Sequence, residues 1–127
     1  MLETLNVTRM AGAMAEHASR RMELVAKNVA QSATPGYKAT DLPEFSEVYQ
    51  DSAPGGMRAT RPGHFTSAGT VMTEVPRPST GGASPNGNTV SLEEEMVKSV
   101  MIRKDHNMAM AVYGNARDIL RASLGRK

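Results

Sequence analysis

The feature that most constrains this chain is a proline followed at once by a glycine, Thr34-Pro35-Gly36-Tyr37, set directly behind a long stretch of helical periodicity. Thr34 precedes a proline and is pushed out of the α region. Pro35 fixes φ at the first central position of a turn, and Gly36 supplies positive φ at the second. A type II turn is predicted here. The first helix must stop at it, and the turn sets the direction in which the chain leaves.

The helix ahead of the turn is predicted from about Asn6 to Ser32. Apolar residues recur at Val7, Ala11, Met14, Ala18, Met22, Val25 and Val29, in steps of three and four that follow one helix face. Arg9, Glu16, Arg20, Glu23 and Lys27 fall on the opposite side. Glu16–Arg20 and Glu23–Lys27 are i,i+4 pairs in the favourable order, each contributing about 0.3–0.5 kcal/mol. Such a helix is long, thin and single-striped, a shape suited to lying along another helix.

A second long helix is predicted from Ser91 onward. Ser91 and Glu94 have the spacing of a capping box, and Glu93-Glu94-Glu95 puts negative charge on the positive end of the helix dipole. Leu92, Met96, Val100, Met110, Tyr113, Leu120 and Leu124 mark one apolar face, with Val97, Met101, Met108, Ala111, Val112 and Ile119 on a second flank. An apolar surface this wide implies contact with more than one helix. Gly114 is a soft point, and Gly125 is placed to cap the end.

Between the helices the composition changes. Residues 37–50 carry Tyr37, Leu42, Phe45, Val48 and Tyr49, enough for a short extended piece and a helical turn packed back on the first helix. Residues 51–88 hold seven Gly and five Pro in 38 positions, a level typical of segments without a packed core. They are predicted to form a mobile arm, with a short hairpin around residues 65–71. The chain divides into an N-terminal helix and motif (1–36), a flexible middle (37–90) and a C-terminal helix (91–127), all one structural unit.

Ten Met and only five aromatic residues, none of them Trp, make a deep private core hard to build in 127 residues. Packing between helices, including helices of other subunits, is the expected source of stability. The net charge of +2 comes from charges of both signs interspersed along the helices, which argues against a nucleic-acid footprint. There are no cysteines, hence no disulfides and no thiolate metal sites. His17, His64 and His106 lack the spacing of metal ligands, and no catalytic constellation or cofactor loop is visible. The N-terminus lacks the basic and apolar regions of a cleaved signal peptide, and no run of residues is apolar enough to span a membrane.

Two stretches carry a family resemblance. Asn28-Val29-Ala30-Gln31-Ser32-Ala33-Thr34-Pro35-Gly36-Tyr37 resembles the N-terminal motif of the bacterial flagellar rod and hook axial proteins, with Gln31 where that motif usually has Asn. Gly87-Asn88-Thr89-Val90-Ser91-Leu92-Glu93-Glu94-Glu95-Met96 is similar to a stretch of the proximal rod members, with Ser91 for the commoner Asp. Both are good N-caps. Tyr37-Lys38-Ala39 followed by Phe45 fits as well.

The resemblance implies a mainly α structural protein whose two long terminal helices pair as an antiparallel coiled coil. It implies export through the flagellar type III apparatus without a cleaved signal, and polymerisation on the MS-ring next to the rod adaptor protein E. The assembled rod would lie in the periplasmic space, transmit torque from motor to hook and enclose the export channel. Partners would be copies of the chain, other rod proteins and the export apparatus, with no cofactor. The alternative from another class is a small cytosolic helical adaptor or secretion chaperone.

Overall fold

The computed structural model describes residues 2–51, 74–79 and 81–125. The expected hairpin at residues 65–71 and most of the expected mobile arm lie outside the described residues. The elements are α1 (Leu2–Ala30), β1 (Thr40–Asp41), α2 (Phe45–Asp51), β2 (Arg77–Pro78) and α3 (Leu92–Ser123).

Two long helices dominate. α1 has 29 residues and α3 has 32, about 44 and 48 Å at 1.5 Å per residue. Their mutual packing is the main tertiary contact. Asn28, in the last turn of α1, reaches Glu95, in the first turn of α3, and Ala18 clusters with Ile102, so the helices run in opposite directions. α1 starts four residues before the expected Asn6. It ends at Ala30, after which Gln31, Ser32 and Thr34 donate backbone bonds to carbonyls three residues back.

The seam between the helices is made mostly of small residues, with Ile102 at its centre. Ala11, Ala18 and Val25 are buried on α1, at intervals of seven, with Met22 packed beside them. On α3 the buried positions are Glu95, Ile102, Ala109 and Ala116, again seven apart. This corrects the face expected from the large apolar residues. Val100, Met110, Tyr113 and Leu124 point outward on α3, as do Val7 and Val29 on α1. The reason is steric: alanines let two helix axes approach closely, so a stripe of small side chains wins the contact and the bulkier ones are left outside.

α3 starts as expected. Ser91 is the N-cap, its hydroxyl accepting from the Glu94 N–H at 3.5 Å. It ends at a left-handed Gly125, φ 67°, with Leu124 N–H returning to Leu120 O.

Between the helices, β1 and β2 pair antiparallel, Thr40 opposite Pro78 and Asp41 opposite Arg77, and Ser79 N–H donates to Ala39 O at 2.8 Å. Residues 74–79, expected to belong to a free arm, are thus tied by backbone bonds to the segment after the turn. Leu42 and Val48 are buried under this layer. α2 rests on the middle of α1 through Phe45, whose ring meets the edge of buried His17 at 5.7 Å, and the His17 Nε2 lies 2.9 Å from Pro43 O.

Candidate functional site: a polar junction between the helix ends

The two motifs that stand out in the sequence are halves of one site. The end of α1, the turn after it and the strand β1 meet the segment that leads into α3.

The turn forms as the residues dictate. Gly36 sits at φ 73°, and the Tyr37 N–H closes on Thr34 O at 3.3 Å. Gly87, on the opposite side, sits at φ 78°, and a Cβ there would lie 3.5 Å from the Gly36 Cα. The two glycine backbones therefore pass each other closely. Gly36 N–H donates to Asn86 O and Thr89 N–H to Tyr37 O, both at 3.0 Å. The Thr89 hydroxyl accepts from Ala39 N–H at 2.9 Å, and Lys38 Nζ donates to Gly87 O.

Asn88 fills the space between them and is 2% exposed. Its amide nitrogen donates to Gln31 O, Ser32 O and Thr34 O at 2.8–3.0 Å, and its side-chain oxygen accepts from Val90 N–H at 2.8 Å. The last carbonyls of a helix lack partners within it; those of Lys27, Asn28 and Val29 take the N–H groups of Gln31 and Ser32. The carbonyls of the turn that follows are gathered by one asparagine, 56 positions beyond Ser32 in the chain.

Asn28 is wholly buried. Its amide nitrogen donates to Thr40 O at 2.9 Å and to Glu95 Oε2 at 3.1 Å, while its oxygen accepts from Tyr37 OH and Thr40 N–H, each at 3.2 Å. Both amide hydrogens and both oxygen lone pairs are used, the full capacity of the side chain. Glu95 also accepts from Lys98 Nζ at 2.9 Å. Lys98 in turn donates to Ser79 Oγ at 3.2 Å and lies 3.8 Å from Asp41 Oδ2. Arg21 grips Asp41 by two parallel bonds of 2.9 and 3.0 Å. Burial pushes the Asp41 carboxyl up, but the Arg21 bonds and charge, the Leu42 N–H and Lys98 outweigh it and hold it below the usual carboxylate range. Bonding to Asp41 raises the Arg21 guanidinium in turn.

The structure thus brings together Asn28, Thr34, Gly36 and Tyr37 from the first motif with Gly87, Asn88, Val90, Ser91 and Glu95 from the second. Val29, Ala30 and Pro35 face outward, as do Leu92, Glu93 and Met96. Sequence reasoning missed Arg21, Asp41, Lys98, Thr40 and Thr89. It also gave Glu95 only a dipole role, whereas Glu95 is 2% exposed inside the seam. The available signal was the seven-residue recurrence of Glu95, Ile102, Ala109 and Ala116.

Chemically the junction is a fastener. Its buried polar side chains bond other parts of the same chain, and no buried side-chain nitrogen or oxygen among the described residues lacks a partner. Among the described residues no group of three or more His, Asp or Glu side chains is placed to hold a metal ion, and no helix is long and apolar enough to cross a membrane.

No family model matches the chain. Two curated relatives do. The chain is 31% identical over 112 residues to a protein of Agrobacterium fabrum named flagellar basal body rod protein FlgB, covering 84% of each sequence. It is 33% identical over 79 residues to the protein of the same name from Cereibacter sphaeroides, covering 61% of this chain and 62% of the relative.

Proposed function

This chain belongs to the FlgB family of flagellar basal body rod proteins, and on that footing we propose that it is a subunit of the proximal rod, built in by helix packing. It is a structural protein of the basal body rod, not an enzyme. The observation that supports the finer reading is the division of labour on α3. One face is consumed by the alanine seam and the polar junction. Met96, Val97, Val100, Met101 and Ile119, all more than half exposed, remain outside. Exposed apolar side chains in this number on one helix mark a protein contact.

In this reading α1 and α3 form a stiff antiparallel pair, the motif residues Asn28–Tyr37 and Gly87–Met96 hold its end closed, and the outer face of α3 docks on neighbouring subunits. Leu92, Met96, Val100, Met110, Tyr113, Leu120 and Leu124 are the residues assigned to that docking. Neighbours are copies of the chain, other rod proteins, the rod adaptor protein E at the MS-ring, and the export apparatus through which the chain passes without a cleaved signal peptide. The packed subunits form the periplasmic shaft that carries torque to the hook and surrounds the export channel.

The test uses Leu92→Asp and Met96→Asp. Both residues are exposed in the single chain, so folding stability should change by no more than about 0.5 kcal/mol. The variants should be made in normal amounts but be missing from purified basal bodies imaged with the subunit labelled. Normal swimming and normal incorporation would reject the packing scheme. A cytosolic adaptor or chaperone is not favoured, because both relatives are named as rod proteins.

A further inference from the structure

The seam between α1 and α3 repeats itself. Ala18 packs with Ile102, so seven residues along, Ala11 lies level with Ala109, and seven the other way Val25 lies level with Glu95. Sliding one helix by seven residues, two turns or about 10.5 Å, lays apolar on apolar again: one way Ala18 meets Ala109, Ala11 meets Ala116 and Val25 meets Ile102, and the other way Ala11 meets Ile102. The apolar part of the seam supplies adhesion but does not by itself bar these positions.

The polar residues do choose. In the observed register Glu95 has Asn28 and Lys98 as donors. A slide one way lays Glu95 against Ala18, out of reach of Asn28, while Lys98, three residues on along the same helix, moves with it. A slide the other way carries Glu95 past the end of α1. Either way a buried carboxylate loses Asn28, and Asn28 loses a partner, which is heavily penalised in a dry site. Asn88 acts from outside the seam. Three residues ahead of the N-cap Ser91, it holds the turn that directly follows α1 by three carbonyls. We propose that Asn28, Glu95 and Asn88 are the register lock of the helix pair. A buried polar residue in a repetitive helix interface acts in this way elsewhere.

The chain has no cysteine, so introduced thiol pairs report register without background. Ala11→Cys with Ala109→Cys reports the observed register, and Ala18→Cys with Ala109→Cys and Ala11→Cys with Ile102→Cys report slides of seven in the two directions. Each pair is placed in the full-length chain with the lock intact and with Asn28→Leu, Glu95→Leu and Asn88→Ala together. After mild oxidation, intramolecular disulfides are read by gel mobility and peptide mapping, with far-UV circular dichroism on the same samples. With the lock intact, only the observed-register pair should bond. Without it, that yield should fall at least twofold and a slipped pair should rise from background to a comparable yield, with the helical signal kept. Bonding confined to the observed register in the unlocked chain overturns the proposal. So do slipped bonds, or no bond at all, in the locked chain. Loss of the helical signal on unlocking also overturns it, because these residues would then supply stability rather than register. Glu95→Gln alone keeps an acceptor for Asn28 and should bond only in the observed register; slipped products from it would also sink the proposal.

Discussion

Asn28 and Glu95 lie 67 positions apart in the chain, and the Asn28 amide donates to the Glu95 carboxylate at 3.1 Å inside the helix seam. Asn28→Ala is expected to cost about 3 kcal/mol, because it strands a buried carboxylate oxygen together with Tyr37 OH and both backbone groups of Thr40. Glu95→Gln keeps the bond to Asn28 and gives up the ion pair and hydrogen bond with Lys98, so it should cost less, about 1–2 kcal/mol. Urea titration followed by circular dichroism orders the two. A Gln variant as damaged as the Ala variant would show that charge, not the hydrogen bond, matters there.

Asn88 ties down the turn that follows α1 and so closes the end of the helix. Removing the side chain in Asn88→Ala leaves Ser32 O and the Val90 N–H without a partner and takes one of two donors from Gln31 O and Thr34 O, for a cost of about 2 kcal/mol. Asn88→Asp should be worse, because it turns a carboxylate toward those carbonyls. Hydrogen exchange reads the effect locally. Protection should drop first at Gln31, Thr34, Gly36 and Tyr37, whose amides are bonded in and around the turn. Unchanged protection there would remove that role.

The long helices, the stop at Pro35-Gly36, the Ser91 cap and the Gly125 terminus were all legible in the sequence, because each rests on local chemistry. The seam was not. Periodicity weighted toward Val, Met and Leu selects the outer face of α3, while the contact is made by Ala109 and Ala116, whose value is that they are small. The two motifs could be seen but not joined. Nothing local announces that Asn88 will hold the turn after a helix ending at Ala30, or that Asp41 will be gripped by Arg21. Such pairings exist only once the chain has folded back, and one sequence alone carries no trace of them.

The Arg21–Asp41 pair makes stability depend on acid. Because the folded Asp41 carboxyl lies below its ordinary value, its contribution is complete above the unfolded value of about 3.9 and is lost as the pH falls through the lower folded value. Arg21→Gln should cost about 1–2 kcal/mol at neutral pH, the range for a charged hydrogen bond. The gap to the parent protein should narrow as the pH falls below the unfolded value and through the lower folded one. Thermal melts from pH 7 to pH 2 would show it. A gap that stays constant into acid would mean the arginine acts by packing alone.

Gly36 and Gly87 both hold left-handed backbone at the point where their segments cross. An L-residue in that conformation costs about 1–2 kcal/mol. Gly36→Ala and Gly87→Ala should each lower stability by that amount, while Gly12→Ala, on the exposed surface of α1 with open space at its Cβ, should be neutral or stabilising by up to about 1 kcal/mol. Replacing Pro35-Gly36 by Ala-Ala removes the stop as well. It should extend α1 and turn Tyr37 away from Asn28, abolishing assembly in a motility assay. A glycine variant of the turn that matched the parent protein would show that the left-handed geometry is dispensable.

The alanine seam makes the sharpest demand on size. Ala18 is 3% exposed and Ala109 is 1% exposed, so Ala18→Leu or Ala109→Leu must push the helices apart or force strained rotamers, at about 1–3 kcal/mol each. Moving the helices apart also pulls Asn28 from Glu95, so either substitution combined with Asn28→Ala should cost less than the sum of the two alone, because the second change finds the bond already broken. Val100→Ala removes a larger apolar side chain, but one that is 69% exposed, and should change stability by no more than about 0.5 kcal/mol. Denaturant titration of the single and double variants tests this ordering. If Val100→Ala proved more damaging to the isolated chain than Ala18→Leu, the helices would be meeting through the large residues after all, and the seam of small ones would be the outer face.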